Sequence, residues 1–236
     1  MIAFGDRRDI GIKMNIKGAI FDCDGTLVDS LWFWDTFYQK MGQRFLDGKP
    51  FTPDAEDDRA VRTQPVSYLA RLFHEKYGIA GSPDEISEWF LEISDSFYRY
   101  EVELKAGVRE LLSHLRECGV RMCVASASEK HLIDIVLSRH GVLDYFEKIV
   151  SCTEIGAGKD KPDVFFAAEQ LLGTPHGQTY VFEDSLLAIE TAKRAGFPVV
   201  GVYDSHAFGQ DKARELSDEY IGDGESFLSL IPKIKA

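Results

Sequence analysis

From residue 108 onward the chain alternates short apolar runs with amphipathic helical patterns, and this alternation limits its possible folds more than any other feature. Helical spacing predicts helices over 108–118, 130–139, 164–172 and 186–195. Apolar runs predict strands near 120–125, 148–151, 179–182 and 198–202, with a short last strand at 220–221. Strands separated by helices form right-handed crossovers in a parallel sheet. The chain is therefore predicted to have an α/β fold.

The segment from 31 to 103 differs from the rest of the chain, because it is rich in aromatic residues at helical spacing and has no clear strand. Helices are predicted at 66–77 and at 83–100, the second opened by Ser82. A short apolar run at 19–21 precedes the segment and is expected to join the same sheet as the later strands. The helical segment is therefore predicted to be an insertion after the first strand.

Charge and cysteine content narrow the function classes. The formal net charge of -12 argues against broad binding to nucleic acid or anionic membranes, which are themselves polyanions. No apolar stretch approaches the roughly 20 residues that span a bilayer. Residues 1–13 lack the apolar centre of a secretory signal and are expected to be a flexible extension. The cysteines form no CxxC pair, so we expect free thiols, no zinc site and a cytoplasmic protein: Cys23, Cys118, Cys123 and Cys152.

An acidic motif, residues 22–29 with the sequence DCDGTLVD, directly follows the first apolar run. Gly25 allows backbone angles that other residues avoid, so the strand stops there and delivers Asp22 and Asp24 together at its carboxyl end. Open α/β sheets place their ligands at that edge. Crowded carboxylates repel one another, so the pair needs a cation or a shared proton. For this segment alone, the alternative is an ordinary Asp-Gly turn at the end of a strand.

Polar residues also follow two of the later predicted strands. Ser126 ends an apolar run, and its hydroxyl, helped by neighbouring backbone N–H groups, suits an anionic oxygen. The alternative is a helix N-cap, a role that Ser128 would fill. Glu183 and Asp184 end another strand and offer the hard oxygen ligands that suit Mg²⁺. There the alternative is that Asp184 or Ser185 caps the next helix.

A lysine completes the set of polar strand ends. Lys159 lies just before the helix that is expected to start near Pro162, where it would neutralise a phosphoryl group and the facing carboxylates. The alternative is a solvated charge cluster, which is the expected environment of Lys161. Four successive ends in one parallel sheet thus carry carboxylates, a hydroxyl, a lysine and carboxylates, an order that chance rarely produces.

Taken in order, these segments resemble the haloacid dehalogenase (HAD) superfamily, in the helical-cap (C1) subfamily that includes β-phosphoglucomutase and phosphoglycolate-phosphatase-like proteins. Four motifs carry the resemblance, and they match residues 22–29, Ser126, 159–165 and 183–184. The resemblance implies a Rossmann-like, three-layer parallel-sheet core with an α-helical cap inserted after the first strand.

The resemblance also implies a division into domains. The core would comprise residues 14–30 and 104–236, and the α-helical cap residues 31–103. Closure of the cap over the site would supply specificity and exclude water. Three polar cap residues are candidate substrate contacts, with exposed helix positions as the alternative: Arg59, Arg62 and Gln64.

Each motif residue receives a role from the resemblance. Asp22 would attack phosphorus and form an aspartyl-phosphate, and Asp24 would protonate the leaving oxygen and later activate water. Mg²⁺ would be held by the Asp22 side chain, the Asp24 carbonyl and Asp184, with Glu183 tuning it. The phosphoryl oxygens would be bound by three groups of the later strand ends: Ser126, Ala127 and Lys159.

Asp24 indicates phosphate-ester chemistry, because the dehalogenases of this superfamily have no acid at that position. A Mg²⁺-dependent phosphatase that acts on a small phosphorylated metabolite is therefore predicted. A monomer is the expectation for its oligomeric state, which the sequence leaves open. The alternative is a sugar phosphomutase, but Trp34 and Glu129-Lys130 stand where such relatives carry His and Lys-Asn. A non-catalytic binding protein would lack the nucleophile or a metal acid, and a dinucleotide-dependent oxidoreductase would need GxGxxG after the first strand.

Overall fold

The structure, a computed structural model, describes residues 13–62 and 66–235, so all but Lys13 of the predicted extension at 1–13 lies outside the described residues. The strands are β1 (Gly18–Phe21), β2 (Val28–Asp29), β3 (Glu103–Leu104), β4 (Arg121–Ser126), β5 (Ile149–Ser151), β6 (Thr179–Glu183), β7 (Val199–Val202) and β8 (Glu219–Ile221). The helices are α1 (Phe33–Phe45), α2 (Ala55–Val61), α3 (Val66–Glu75), α4 (Pro83–Tyr100), α5 (Val108–Glu117), α6 (Lys130–Arg139), α7 (Cys152–Ile155), α8 (Asp163–Leu172), α9 (Leu186–Arg194) and α10 (Gln210–Leu216). None of the helices in the described ranges is long and apolar enough to cross a membrane.

Six of the strands form one parallel sheet, in the order β5-β4-β1-β6-β7-β8. β1 is central, with Phe21 opposite Val124 of β4 and Phe182 of β6. Because side chains alternate along a strand, Phe21 stacks on Phe182 at one face of the sheet, with 4.2 Å between ring centroids. Ile20 points to the other face, where it packs with buried residues of α8 and α9. Helices thus cover both faces, and the predicted three-layer α/β fold is confirmed.

Local signals in the sequence predicted some boundaries well. α4 and α6 begin and end at the predicted residues. At the start of α4, the Ser82 hydroxyl accepts from the Glu85 N–H and the Glu85 carboxylate accepts from the Ser82 N–H, which is a complete capping box. α2 and α10 were not predicted, because each has only seven residues and too few apolar positions to show a helical period.

Four helices, α1 to α4, lie within the predicted cap segment and enclose an aromatic interior. The Phe37 ring centroid lies 6.1 Å from that of Phe73 and 5.6 Å from that of Trp89. Phe97 and Phe33 extend the cluster, with 5.0 Å between their centroids. Burial of one such ring contributes about 1.5–3 kcal/mol relative to an exposed one. The cap segment therefore has an apolar interior of its own, while its limits at 31 and 103 stay a prediction.

The two chain connections between the cap helices and the sheet run side by side. β2, on the way in, pairs antiparallel with β3, on the way out, so that Val28 lies opposite Leu104. The next residue, Lys105, donates from its Nζ to Asp204 Oδ2 at 2.9 Å and to the Tyr203 carbonyl at 2.7 Å. The expectation that 31–103 holds no strand was wrong at Glu103, because a two-residue strand is too short to show alternation. This pairing places both connections beside the acidic motif.

Candidate active site

The site lies at the carboxyl edge of the sheet, where the acidic motif turns away from β1. The Asp22 N–H donates to the Phe182 carbonyl at 2.9 Å, so the first acid still follows the register of β6. Gly25 then adopts a φ of +72°, and a Cβ at that position would lie 2.6 Å from Asp184 Oδ2. Only glycine therefore permits both the turn and the close approach of Asp184.

Three buried carboxylates meet at this edge. Asp22, Glu183 and Asp184 each offer an oxygen, and these oxygens all lie within 4.8 Å of one another. Thr26 holds Asp184 in place, since its Oγ1 donates to Asp184 Oδ1 at 2.9 Å. The four side chains come from the ends of β1 and β6. Because these two strands are neighbours in the sheet, their two motifs form one cluster.

Lys159 is the cation of this cluster. Its Nζ lies 2.6 Å from Asp22 Oδ1 and 2.7 Å from Glu183 Oε2, and its side chain is only 10% exposed. The solvated charge cluster that the sequence left open therefore does not describe Lys159, although the neighbouring Lys161 is exposed. The lysine bridges the first and the last acidic strand ends.

One ammonium group does not balance three carboxylates, and burial together with the neighbouring carboxylates raises the pKa values of two of them. Burial and the neighbouring Glu183 carboxylate raise the pKa of Asp22 to about 8, against the opposing attraction of Lys159. Burial, followed by repulsion from Glu183 and Asp22, also raises the pKa of Asp184 well above its usual range. Burial alone would lower the pKa of Lys159, but its two carboxylate partners raise it above its usual range. An oxygen-rich cluster with excess negative charge fits a hard divalent cation.

Asp24 lies apart from the carboxylate cluster and is held by three hydroxyl groups. Its Oδ1 accepts from Ser30 at 2.7 Å and from Tyr98 at 2.5 Å, and its Oδ2 accepts from Ser128 at 2.6 Å. Burial and the Asp24 carboxylate raise the pKa of Tyr98 well above its usual range, so this hydroxyl keeps its proton and donates. Neither Ser30 nor Tyr98 was predicted from the sequence. Ser30 directly follows the acidic motif, whereas Tyr98 carried no signal beyond the aromatic pattern of its helix.

The β4 end brings its serines to the same edge. Ser126 is buried, and its Oγ accepts from the Ser128 N–H at 3.1 Å, while Ala127 between them is exposed. The alternative in which Ser128 caps α6 was wrong: Glu129 holds the N-cap position without a side-chain bond. The Ser128 hydroxyl donates to Asp24 Oδ2 instead, at 2.6 Å.

The cap arginines lie at the seam between the cap and the core. The Arg62 guanidinium pairs with both oxygens of Asp58 at 3.0 Å. Its central carbon lies 5.5 Å from the Trp34 ring centroid and 5.4 Å from that of Phe208, and the Arg59 guanidinium lies 5.8 Å from the same Phe208 ring. Gln64, the third predicted contact, lies outside the described residues. Arg62 thus sits between an aromatic ring of the cap and one of the core.

Phe208, which was not predicted from the sequence, belongs to the core loop between β7 and α10. Gln210 follows it and donates from its side-chain amide to the Asp184 carbonyl at 3.2 Å. In the same loop, His206 Nε2 lies 3.3 Å from Asp35 Oδ2 of the cap. The loop therefore contacts the cap, and the first residue of α10, which follows it, contacts the acidic cluster. Phe208 belongs to no motif of the sequence, so no local pattern marked it.

Comparison with known proteins shows the family to which the chain belongs. The family model of the haloacid dehalogenase-like hydrolases matches residues 16–196. The chain is similar to (DL)-glycerol-3-phosphatase 1, mitochondrial, of Arabidopsis thaliana, with 30% identity over 81% of this chain and 65% of the relative. It is 25% identical to the phosphorylated carbohydrates phosphatase of Thermotoga maritima, over 84% of this chain and 89% of that protein. Among solved structures, CbbY from Rhodobacter sphaeroides in complex with phosphate shares the fold, with a TM-score of 0.69, 20% identity and coverage of 87% and 93% of the two chains.

Proposed function

Because this chain belongs to the haloacid dehalogenase-like hydrolase family, we propose that it is a Mg²⁺-dependent phosphatase that hydrolyses a small phosphate monoester through an aspartyl-phosphate. One observation carries the proposal: a lysine-paired carboxylate, Asp22, and a separately held acid, Asp24, lie two residues apart at one edge of the sheet. The relatives named as phosphatases of glycerol 3-phosphate and of phosphorylated carbohydrates support a small phosphorylated metabolite as the substrate. The free cysteines support a cytoplasmic location, since a reducing compartment keeps them so.

The carboxylate cluster is the proposed Mg²⁺ site. Asp22, Asp184 and Glu183 would contribute side-chain oxygens, and Asp24 its backbone carbonyl. The fit rests on the donor set, which is all oxygen, and on the excess of three buried carboxylates over one lysine. When bound, Mg²⁺ would neutralise phosphoryl charge and hold the phosphoryl group in line with the nucleophile.

Asp22 is the proposed nucleophile. Its carboxylate attacks phosphorus, the bond between phosphorus and the ester oxygen breaks, and the leaving oxygen takes the proton of Asp24. Asp24, now a carboxylate, then takes a proton from the water that attacks the phosphorus of the aspartyl-phosphate. Inorganic phosphate leaves, and Asp22 is regenerated as a carboxylate. The two acids have different roles because Lys159 keeps Asp22 close to an ammonium group, while hydroxyl groups surround Asp24.

Three groups are proposed to bind the phosphoryl oxygens. Lys159 supplies charge that is already in place, so it needs no reorganisation as negative charge moves in the transition state. The Ser126 Oγ accepts from the Ser128 N–H, which leaves its own hydroxyl hydrogen to donate to a phosphoryl oxygen. The Ala127 N–H, in an exposed position between the two serines, would complete the set.

Phosphate release from p-nitrophenyl phosphate tests the proposal. We expect the wild-type protein to release phosphate in the presence of Mg²⁺, and the Asp22→Asn variant to lose that activity. Asp223→Asn, an exposed position after β8, is the matched control and should retain it. Equal rates for the wild-type protein and Asp22→Asn would refute the mechanism.

A panel of phosphorylated sugars, nucleotides and small acids, with β-glucose 1-phosphate among them, separates hydrolysis from phosphoryl migration. The proposal predicts release of inorganic phosphate from at least one member. Conversion of β-glucose 1-phosphate to its 6-phosphate isomer would replace the phosphatase by the mutase.

A further inference from the structure

The two oxygens of the Asp24 carboxylate accept different numbers of hydrogen bonds from hydroxyl groups. Oδ1 accepts from Ser30 and Tyr98, whereas Oδ2 accepts from Ser128 alone. Ser30 follows β2, where the chain enters the cap, and Tyr98 lies in the last turn of α4, where the chain leaves it. Both donors to Oδ1 therefore come from the two connections of the cap, and the donor to Oδ2 comes from the core.

This asymmetry decides which oxygen is able to carry a proton. A carboxylate oxygen has two in-plane lone pairs, and on Oδ1 both are already used by hydroxyl donors. Oδ2 accepts one hydrogen bond, from Ser128, and its second lone pair remains open to a proton. A proton on Oδ1 would displace one of two short hydrogen bonds, while a proton on Oδ2 displaces none.

We propose that Tyr98 is a positioning residue which, together with Ser30, anchors Oδ1 of Asp24 and leaves Oδ2 as the oxygen that exchanges protons with the leaving group and with water. This inference rests on the proposed phosphatase function and assigns a residue of the cap to its acid–base step. Tyr98 contacts neither the phosphoryl group nor the metal ligands of the carboxylate cluster in this assignment; it acts through Asp24.

The surroundings of Tyr98 suit an anchor. The side chain is 8% exposed, and its ring meets the Phe97 ring edge-on, with 5.7 Å between centroids and 81° between planes. α4 also packs against α6, the helix that follows Ser128, so the ring is confined at the seam between cap and core. A confined aromatic ring with few rotamers holds its hydroxyl in one place at little entropic cost. The orientation of the Asp24 carboxyl group therefore depends on the placement of the cap.

A pair of aryl esters that differ in leaving group tests this role. Phenyl phosphate releases a basic phenolate that needs a proton in the transition state, whereas p-nitrophenyl phosphate releases a weakly basic one that needs little help. For Tyr98→Phe we expect kcat/KM to fall about tenfold or more with phenyl phosphate and to change much less with p-nitrophenyl phosphate. The ratio kcat/KM reports the first chemical step and so isolates proton donation from the later use of Asp24 as a base.

Two variants serve as comparisons. Tyr100→Phe removes a hydroxyl two residues later in the same helix, where the side chain is 72% exposed. It should leave kcat/KM unchanged for both esters. Ser30→Ala removes the other donor to Oδ1 and should shift the two esters in the same sense as Tyr98→Phe. If Tyr98→Phe does not fold, as judged by its thermal transition, Ser30→Ala carries the test.

The outcomes separate this inference from the proposed function. Phosphate release by the wild-type protein from either ester tests the phosphatase function by itself. Given that release, an equal loss of kcat/KM for both esters in Tyr98→Phe and Ser30→Ala would show a merely structural role, and no loss would show no role. Either result would overturn the assignment of Tyr98. A selective loss with phenyl phosphate supports it.

Discussion

The carboxyl edge of the sheet and the interior of the cap bury side chains of opposite character. At the carboxyl edge of the sheet, Asp22, Glu183 and Asp184 are buried within 4.8 Å of one another around a single lysine. Inside the cap, aromatic rings such as Phe37 and Phe73 pack at centroid distances near those of other buried aromatic pairs, 6.1 Å in this case. The first region concentrates unbalanced charge, and the second is filled mainly by aromatic rings.

The difference shows where stability and chemistry reside. Buried like charges are destabilising unless a cation or a proton compensates them, so the cluster at the edge of the sheet is an arrangement that a bound cation would stabilise. The aromatic interior gains free energy from burial and needs no ligand. Substitutions at the edge of the sheet should therefore lower activity with little loss of stability. Substitutions inside the cap should mainly lower stability.

The largest expected effect is the loss of activity in Asp22→Asn. Removal of the nucleophile should lower kcat by on the order of 10³-fold or more. The same change replaces a buried carboxyl group, whose ionisation is opposed by burial and by Glu183, with a neutral amide, so the free energy of unfolding measured with a chelator should not fall. Denaturant titration beside the kinetic assay checks both parts. A variant that is inactive because it is much less stable would break the contrast between the regions.

The matched change in the cap is Phe37→Ala. Phe37 is fully buried in the aromatic cluster, and its truncation should lower the free energy of unfolding by about 3–5 kcal/mol. Urea unfolding measures this loss, with Leu91→Ala on the exposed side of α4 as the control, where we expect almost no change because the side chain is 43% exposed. A loss below 1 kcal/mol in Phe37→Ala would mean that the cap interior is not tightly packed.

The third prediction concerns the metal. A Mg²⁺ concentration about 100 times its dissociation constant should stabilise the protein by about 2.7 kcal/mol, since the ion binds only the folded state. Asp184→Asn should abolish this gain, because Asp184 is one of the three clustered carboxylates, whereas Asp223→Asn should retain it. Thermal unfolding with and without Mg²⁺ gives the comparison. Retention of the full shift in Asp184→Asn would place the ion elsewhere.

The last prediction is a pH slope of stability in the presence of a chelator, which is small for each pH unit. The pKa of Asp22 is raised from 3.8 to about 8 in the folded protein, so between these values the folded state holds a proton that the unfolded state has lost. Its contribution to stability is therefore complete below the lower value and declines as the pH rises towards 8, by up to about 1.4 kcal/mol per pH unit for one proton. Unfolding titrations from acidic to alkaline pH should show this decline in the free energy of unfolding. The decline should be smaller in Asp22→Asn, which lacks the titrating carboxyl group. An identical pH dependence in the wild type and the variant would contradict it.

The sequence predicted the charged edge far better than the details of the seam. Asp22, Ser126, Lys159 and Glu183 each follow or face a strand end, and in a parallel sheet those ends meet by topology alone. α4 was predicted to the residue because a capping box and a proline act locally at its start. The family resemblance was confirmed by the model match over residues 16–196.

The seam was not predictable in the same way. Tyr98 reaches Asp24 across 74 residues of chain, and it stands among many other aromatic residues of the cap. Phe208 meets Arg62 only because the cap rests against the β7–α10 loop, a packing that no local pattern encodes. Arg62 was proposed as a substrate contact from its polar segment, and its pairing with Asp58 followed only from the geometry of α2 and its end. Long-range packing, not propensity, decides these contacts.

Trapping of the phosphorylated protein tests the central account most directly. Asp24→Asn should still be phosphorylated by p-nitrophenyl phosphate, whose leaving group needs little protonation, but it lacks the base that activates water. After rapid acid quench and proteolysis, mass spectrometry should find one phosphoryl group on the peptide that contains Asp22. The double variant, which carries Asp22→Asn as well as Asp24→Asn, should have no phosphoryl group on this peptide. A phosphoryl group on another residue, or turnover by the wild-type protein with no phosphorylated Asp22 in the Asp24→Asn trap, would contradict the account.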